Sequence, residues 1–574
     1  MNRTLKWLLI TFALFIFILV SLGIMVNLAM RPSPNSILEV SIRGEIPEQA
    51  AAGSIARLLG EKTRTVRDII EAILKARDDD TINGLLVTID RSSFGFATAQ
   101  EVRDAILTFR ESGKWAVAYL ETAGEFSSGN KAYYIATACE SIWLAPPGDV
   151  NLTGIRFEVP FIRGTLDKLG VVPDFDHIGK YKNAKNFYTD RVMNDAHRES
   201  MEALAESFYT QLRDGIAEGR ALTDAQVAEL IDAGPFTGPR ALERALVDQL
   251  GYRDQLEDNL TERNGGDLPI IGVGEYLKHG RYYDGSVKVA LIYGVGAVTR
   301  GRSESNPVSG SATMGSDTIA AAIREAREDA SIDAIVLRVD SPGGSYISSD
   351  LILREVVRTR EANKPIVVSM ADVAASGGYF VAMEADSIVA QPATLTASIG
   401  VVAGKFITDG FWEKLGITTD TVQRGRHATF FSGKQPYSPE ERVIFRGWLE
   451  RIYEDFVGKV ADARGKTFEE IHEIAQGRVW TGQDALGLGL IDELGGLTVA
   501  IQRAVELSGA EENARARLVV LPRRKGWLRE ILENAGETEA QVRALRTALV
   551  RLVETGTLSG PRGVLEIPFV ADFD

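Results

Sequence analysis

The chain has 574 residues, 45% hydrophobic and 25% charged, with a net charge of -15; this is a globular composition with room for two or more domains. The acidic excess argues against a nucleic-acid partner, because phosphate binding needs clustered Lys and Arg. There is no zinc spacing, EF-hand loop or P-loop lysine, and Gly294-Val295-Gly296 has Thr299 where a dinucleotide fingerprint needs its third glycine, so no metal and no cofactor is implied.

In chain order, Arg3 and Lys6 precede an uncharged apolar run from Trp7 to Met30. That run is long enough to span a hydrocarbon core of about 30 Å and longer than the usual apolar core of a cleavable signal. "NLAMRPSP" offers no small-x-small cleavage site after it. Residues 1–31 therefore read as an uncleaved signal anchor, membrane-bound through residues 7–30. Its basic end stays in the cytoplasm and everything after Arg31 lies on the far side.

The remainder reads as two copies of one α/β unit, residues 37–260 and 287–510, joined by a polar, Gly-rich linker at 261–286. A helix-then-strand unit "TVRDIIEAILKARDDDTINGLLVTID" answers "DTIAAAIREAREDASIDAIVLRVD", with Ile82 opposite Ile332 and Asp90 opposite Asp340, both 250 apart. Next, "GKWAVAYLE" answers "NKPIVVSMA" through Lys114 and Lys364. "CESIWLAP" answers "ADSIVAQP" through Ser141 and Ser387, 246 apart, and Thr237 matches Thr481 at 244. Near-continuous apolar strands alternating with amphipathic helices predict buried parallel or mixed sheet with right-handed crossovers. The only cysteine, Cys139, sits where a helix end runs into a strand and reads as a small buried hydrophobe. In the extension 511–574, Val542, Leu545, Leu549 and Leu552 form a helical stripe suited to packing or assembly.

The two copies differ where chemistry is legible. "ADVAASGGYF" places Ser376 at a strand-to-helix corner among small residues, which suits either a helix N-cap or a nucleophile elbow with its hydroxyl bare. Its counterpart in the first copy is Asn130, with Lys131 opposite Gly377. "DSPGGS" at 340–345 follows a strand and can present backbone N–H groups at the sheet's C-terminal edge; the first copy has "DRSSFGF" instead. A serine needs a base. The five histidines are scattered, with His427 nearest the right region, and lysine is the alternative if burial makes it neutral. "HIGKYKNAKNFYTD" aligns through Gly179 and Gly425 with "QRGRHATFFSG", which sets Lys182 opposite Ala428. One copy keeps the serine and the other keeps a lysine, as expected of one composite site.

"GKYKNA", "DSPGGS", "AASGGYF" and "TASIGVV" stand in an order that resembles the signal peptide peptidase A (protease IV) family in its long, duplicated form, from the anchor to about residue 510. The resemblance implies crotonase-like, Clp-protease-like α/β repeats assembled as a homotetramer, and a serine endopeptidase of the bacterial inner membrane with its body on the periplasmic side. Ser376 would be the nucleophile, Lys182 the general base and Ser398 the group that holds the amine. Gly343 or Gly344, with Gly377, would supply the oxyanion N–H groups. Hydrophobic peptides, especially signal-peptide remnants, would be the substrates. Asn183 stands where the family motif commonly has serine. Two rival readings remain at this stage, a crotonase-type acyl-CoA enzyme and a non-catalytic membrane-tethered scaffold.

Overall fold

The computed structural model describes residues 32–44, 46–49, 64–304 and 312–523. The apolar run 7–30 and the stripe at Val542, Leu545, Leu549 and Leu552 lie outside the described residues; among those described, no helix is long and apolar enough to cross a membrane.

The duplication is written into the sheets. One sheet has the spatial order Gln249–Leu250, Ser141–Leu144, Trp115–Leu120, Ile82–Ser92, Ser36–Gly44, Ile270–Gly272, all parallel. The other repeats it as Glu493–Leu494, Ser387–Ala390, Ile366–Ala375, Ala334–Ser341, Val287–Val295, Ala516–Leu521, again parallel. Helices cover the faces, so runs such as Leu85-Leu86-Val87 and Ile335-Val336-Leu337 are wholly buried. Ile270–Gly272 lies inside the segment 261–286, and Ala516–Leu521 lies beyond residue 510. Each sheet thus takes its last strand from chain that follows the repeated stretch.

Helices correspond too: Val66–Asp78 with Ser316–Glu328, Phe96–Arg110 with Tyr346–Glu361, and the 26-residue Asp195–Arg220 with Pro439–Arg464. The repeated Gly/Asn-Lys before the third strand has a mechanical reason. Lys114 Nζ donates to the carbonyls of Ala76 and Asp79, and Lys364 Nζ to those of Ala326 and Asp329, all at 2.7–2.9 Å. Each cation satisfies carbonyls at the negative end of a helix.

In both copies the pairing beyond the third strand divides, in the first through Ala123 beside Val150 and Asp149–Val150 antiparallel to Phe236–Thr237, and in the second at greater length. Strand Ile366–Ala375 forks: its first half pairs with Ser387–Ala390 and its last residues with Leu395–Ala397, which pairs antiparallel with Val479–Thr481. Ser376 sits at the end of that fork, at the C-terminal edge where sites on such sheets collect.

The copies are locked together. Ala393, Leu395 and Val479 are buried in the first copy's core, and Val172–Ile178 pairs antiparallel with Val401–Ile407 across the seam. Arg338, fully buried, bridges Glu48 at 2.8 Å and Glu101 at 2.6 Å. The N-terminus of helix Phe96–Arg110 has only Gly95 at its cap; Asp372 of the other copy caps it instead, accepting from Gly95 N at 2.7 Å and from Thr98 N and Oγ1 at 2.9 and 3.0 Å. Asp372→Ala should therefore cost about 1–2 kcal/mol in chemical denaturation, and Asp372→Asn, which keeps an acceptor, should cost less.

Candidate active site

Ser376 ends its strand with φ 54° and ψ -113°, outside the regions a serine prefers, and the helix Gly377–Phe380 begins at the next residue. The turn is held by Ser376 N–H to Ala397 O at 2.7 Å and Phe380 N–H to Ser376 O at 2.8 Å. Glycine is required beside it: a Cβ on Gly377 would lie 2.7 Å from Ser349 Oγ and 2.9 Å from Gly344 N. The expectation of a bare hydroxyl is corrected. Ser376 is fully buried, because the Lys182 side chain and the strand Leu395–Ala397 close over the corner.

Lys182 comes from the loop after Val172–Ile178 and lies on the turn Gln476–Arg478 of the other copy. Tyr181 N–H donates to Gln476 O at 2.8 Å. Gly477 has φ 80°, and a Cβ there would fall 2.5–2.6 Å from the N, Cα and Cβ of Lys182. The lysine is 2% exposed. Its Nζ stands 2.7 Å from Ser376 Oγ, 2.9 Å from Ser398 O and 3.0 Å from Ser398 Oγ. No carboxylate is among those partners, and burial alone pulls the amine down from 10.5 to about 7. The geometry suits the neutral form: both oxygens of Ser398 accept its two N–H bonds, and the lone pair is left for the serine hydroxyl. Ser398 is itself in the left-handed region at φ 53°, held by Ser398 N–H to Arg478 O at 2.9 Å.

The two glycines of the pair differ in their contacts. Gly343 N–H donates to Ser341 Oγ at 3.2 Å, and its carbonyl accepts from Val298 N at 2.8 Å. Gly344 N lies close to Gly377, 2.9 Å from where a Cβ on that glycine would stand. Asp340, first in the same motif, accepts from Val373 N at 3.1 Å and ties this strand to the serine strand where their register shifts. In the first copy, Asn130 uses its side chain on Gly154 O and Thr153 N, while Lys131 Nζ donates to Ser92 O at 3.2 Å and Phe94 O at 2.5 Å. His427 stands near Glu440 and Glu441, and none of the histidines hydrogen-bonds Ser376 among the described residues.

All six residues singled out from sequence therefore converge on one corner. Gly477 and the Gln476–Arg478 turn were missed, since a glycine before a short strand looks like any other turn.

Residues 108–265 and 358–511 match the description Peptidase family S49. The chain is 33% identical over 537 residues to "Serine protease SPPA, chloroplastic" of Arabidopsis thaliana, covering 92% of this chain and 77% of that one. It is 34% identical over 497 residues to "Protease 4" of Salmonella typhi, covering 83% and 76%. Among solved structures, a ClpP1 mutant from Listeria monocytogenes aligns with 37% of this chain and 94% of its own, at TM-score 0.24 and 15% identity. The relatives define a serine peptidase. The chain belongs to peptidase family S49, with two regions of that family in one polypeptide.

Gly477→Ala should push the lysine backbone away from Ser376. A displacement of about 1 Å at a reacting group costs on the order of a hundredfold. Peptide hydrolysis should fall by at least that much while circular dichroism still reports a folded chain.

Proposed function

We propose that Ser376 and Lys182 form a Ser/Lys dyad shared between the two copies, with Ser398 orienting the amine and the N–H groups of Gly344 and Gly377 forming the oxyanion hole. The observation that carries this is the 2.7 Å separation of Nζ and Oγ in a buried site, at an amine that burial has brought to about 7. As Oγ attacks a peptide carbonyl, the Lys182 lone pair takes its proton and the glycine amides hold the negative charge that forms on oxygen. The ammonium then gives that proton to the departing nitrogen as the C–N bond breaks. Water, deprotonated by the same amine, releases the acyl group from Ser376. Membership of peptidase family S49, with relatives named as proteases over most of the chain, favours this reading over a crotonase-type acyl-CoA enzyme.

The substrates we infer are hydrophobic peptides, signal-peptide remnants above all, cut close to a membrane to which residues 7–30 tether the body. The bacterial inner membrane, with the body on the periplasmic side, fits that placement. Each copy is read as a crotonase-like unit, and the whole as a homotetramer. The strand exchange at the seam supports a ring. By the offset of 246 that relates the copies, Val172–Ile178 and Val401–Ile407 correspond to 418–424 and 155–161, stretches that belong to no strand among the described residues. Residues 418–424 of one subunit could pair head-to-tail with 155–161 of the next.

Ser376→Ala and Lys182→Ala should each abolish peptide hydrolysis with the fold intact; an active Lys182→Ala enzyme would overturn the dyad. Because the neutral amine is the working form, kcat/KM should rise about tenfold per pH unit below about 7 and level off above it. Stability should carry the same signature. A lysine whose folded value lies below its unfolded one costs the native state most below the folded value and nothing above the unfolded one. The unfolding free energy of Lys182→Met relative to wild type should therefore shift in the variant's favour as pH falls from about 10 to 7.

A further inference from the structure

Beside the lysine lies a cavity of about 20 Å³ whose lining includes Lys182, Ser398, Gly477, Ser200 and His197 but not Ser376. His197 projects from the first turn of helix Asp195–Arg220 and is 1% exposed. Neither of its ring nitrogens has a hydrogen-bond partner among the described residues. A buried imidazole carries one donor and one acceptor, and leaving both unmet is costly. Ser398 has a matching need. Its Oγ accepts from Lys182, so its own proton must point elsewhere, and the bond it donates to Gly477 O is long, at 3.4 Å. A cavity of roughly 10–15 Å³ is enough for one water, provided two or more polar groups hold it.

We propose that His197 is a positioning residue for the dyad: through one buried water it accepts the hydrogen-bond demand of Ser398, and so fixes the hydroxyl that orients the Lys182 amine. The proposal rests on the dyad reading above. His197 acts as a neutral imidazole. Burial lowers its proton affinity, Asp190 is the charged group that opposes this, and Lys182 across the cavity is neutral when it works as a base. Glu199, on the same helix, is engaged outward with Arg478, Lys180 and Tyr181. An uncharged ring is what the site needs, since a cation at this position would make the lysine a weaker base still. Phe161 packs edge-on against the ring at 6.0 Å between centroids, which limits its rotation.

The test uses the full chain and five proteins: wild type, His197→Phe, His197→Gln, Ser398→Ala and the double variant His197→Phe/Ser398→Ala. Labelling of Ser376 by a fluorophosphonate and hydrolysis of a peptide are followed against pH. His197→Phe fills the space and offers no hydrogen bond; it should lower kcat about fivefold to tenfold, the worth of roughly one net hydrogen bond, with KM little changed and the pH midpoint displaced from that of wild type. His197→Gln, which can still hold a water, should recover most of the loss. Adding His197→Phe to Ser398→Ala should cost nothing further, because the effect passes through Ser398. Wild-type kcat and midpoint in His197→Phe, or losses that multiply in the double variant, overturn the proposal. If His197→Phe does not fold, an experimental map of the wild type decides: a water within hydrogen-bond reach of the His197 ring and Ser398 Oγ supports it, and a dry cavity overturns it. Failure of the dyad itself looks different, as wild-type enzyme that fluorophosphonate does not label at Ser376.

Discussion

The hydrogen bond between Nζ of Lys182 and Oγ of Ser376, 2.7 Å long and cut off from solvent, is the contact the rest of the molecule is arranged to permit. A lysine serves as a base near neutral pH only if its charged form is made unfavourable, and among the described residues desolvation is the cause at Lys182. Desolvating the end of a long, flexible side chain requires cover on every side. No single loop provides that. Here the loop from the first copy supplies the lysine, while the turn Gln476–Arg478 and strand Leu395–Ala397 of the second supply the cover. The odd backbone of this region follows from the same demand. Ser376, Ala397 and Ser398 all sit at positive φ, a strain that persists only where surrounding contacts over-determine it.

The two copies show how one fold gains a site and loses it. In the second copy, the turn after strand Ala334–Ser341 brings the nitrogen of Gly344 close to Gly377 at the serine corner. In the first, the matching turn presents carbonyls, those of Ser92 and Phe94, and an ammonium from Lys131 lies on them. Restoring a serine at Asn130 alone would therefore leave an ammonium on two carbonyls at the place where, on the proposed reading, the second copy has its oxyanion amides. What the first copy retained is geometry: the strand order, the lysine-capped helix ends and the 26-residue helix recur, because these serve packing in both units.

Much of this was legible in the sequence, for a physical reason. The parallel sheets bury both faces of their strands, so the apolar runs stand out, and a nearly constant offset between copies brings out positions where they disagree. Ser376, Lys182 and the three glycines were reachable by that comparison, whereas Ser398 came only through the family resemblance of "TASIGVV". What stayed hidden depends on contacts between copies. Asp372 looks like any acidic residue in a strand until the bare N-terminus of helix Phe96–Arg110 arrives beside it. Gly477 carries no local mark of the lysine backbone that packs on it. Ile270–Gly272 and Ala516–Leu521 are edge strands too short or too polar in setting to be separated from linker by periodicity. The burial of Ser376 was misjudged because a corner of small residues is open only until another part of the chain covers it.

Dividing the dyad between copies has a consequence for control. On the proposed mechanism, the amine is unprotonated near neutral pH only while the seam is closed. If the Lys182 loop lifts from Gly477, water reaches Nζ, its proton affinity returns towards the value of 10.5 for a free lysine, and the base is lost by protonation as well as by distance. A histidine base would behave differently, since exposure leaves its pKa near neutrality and removes only the geometry. A lysine in this place therefore couples activity to completion of the two-copy fold twice over. A partly folded or locally opened chain is protonated at its base, which restrains a peptidase until both halves have docked.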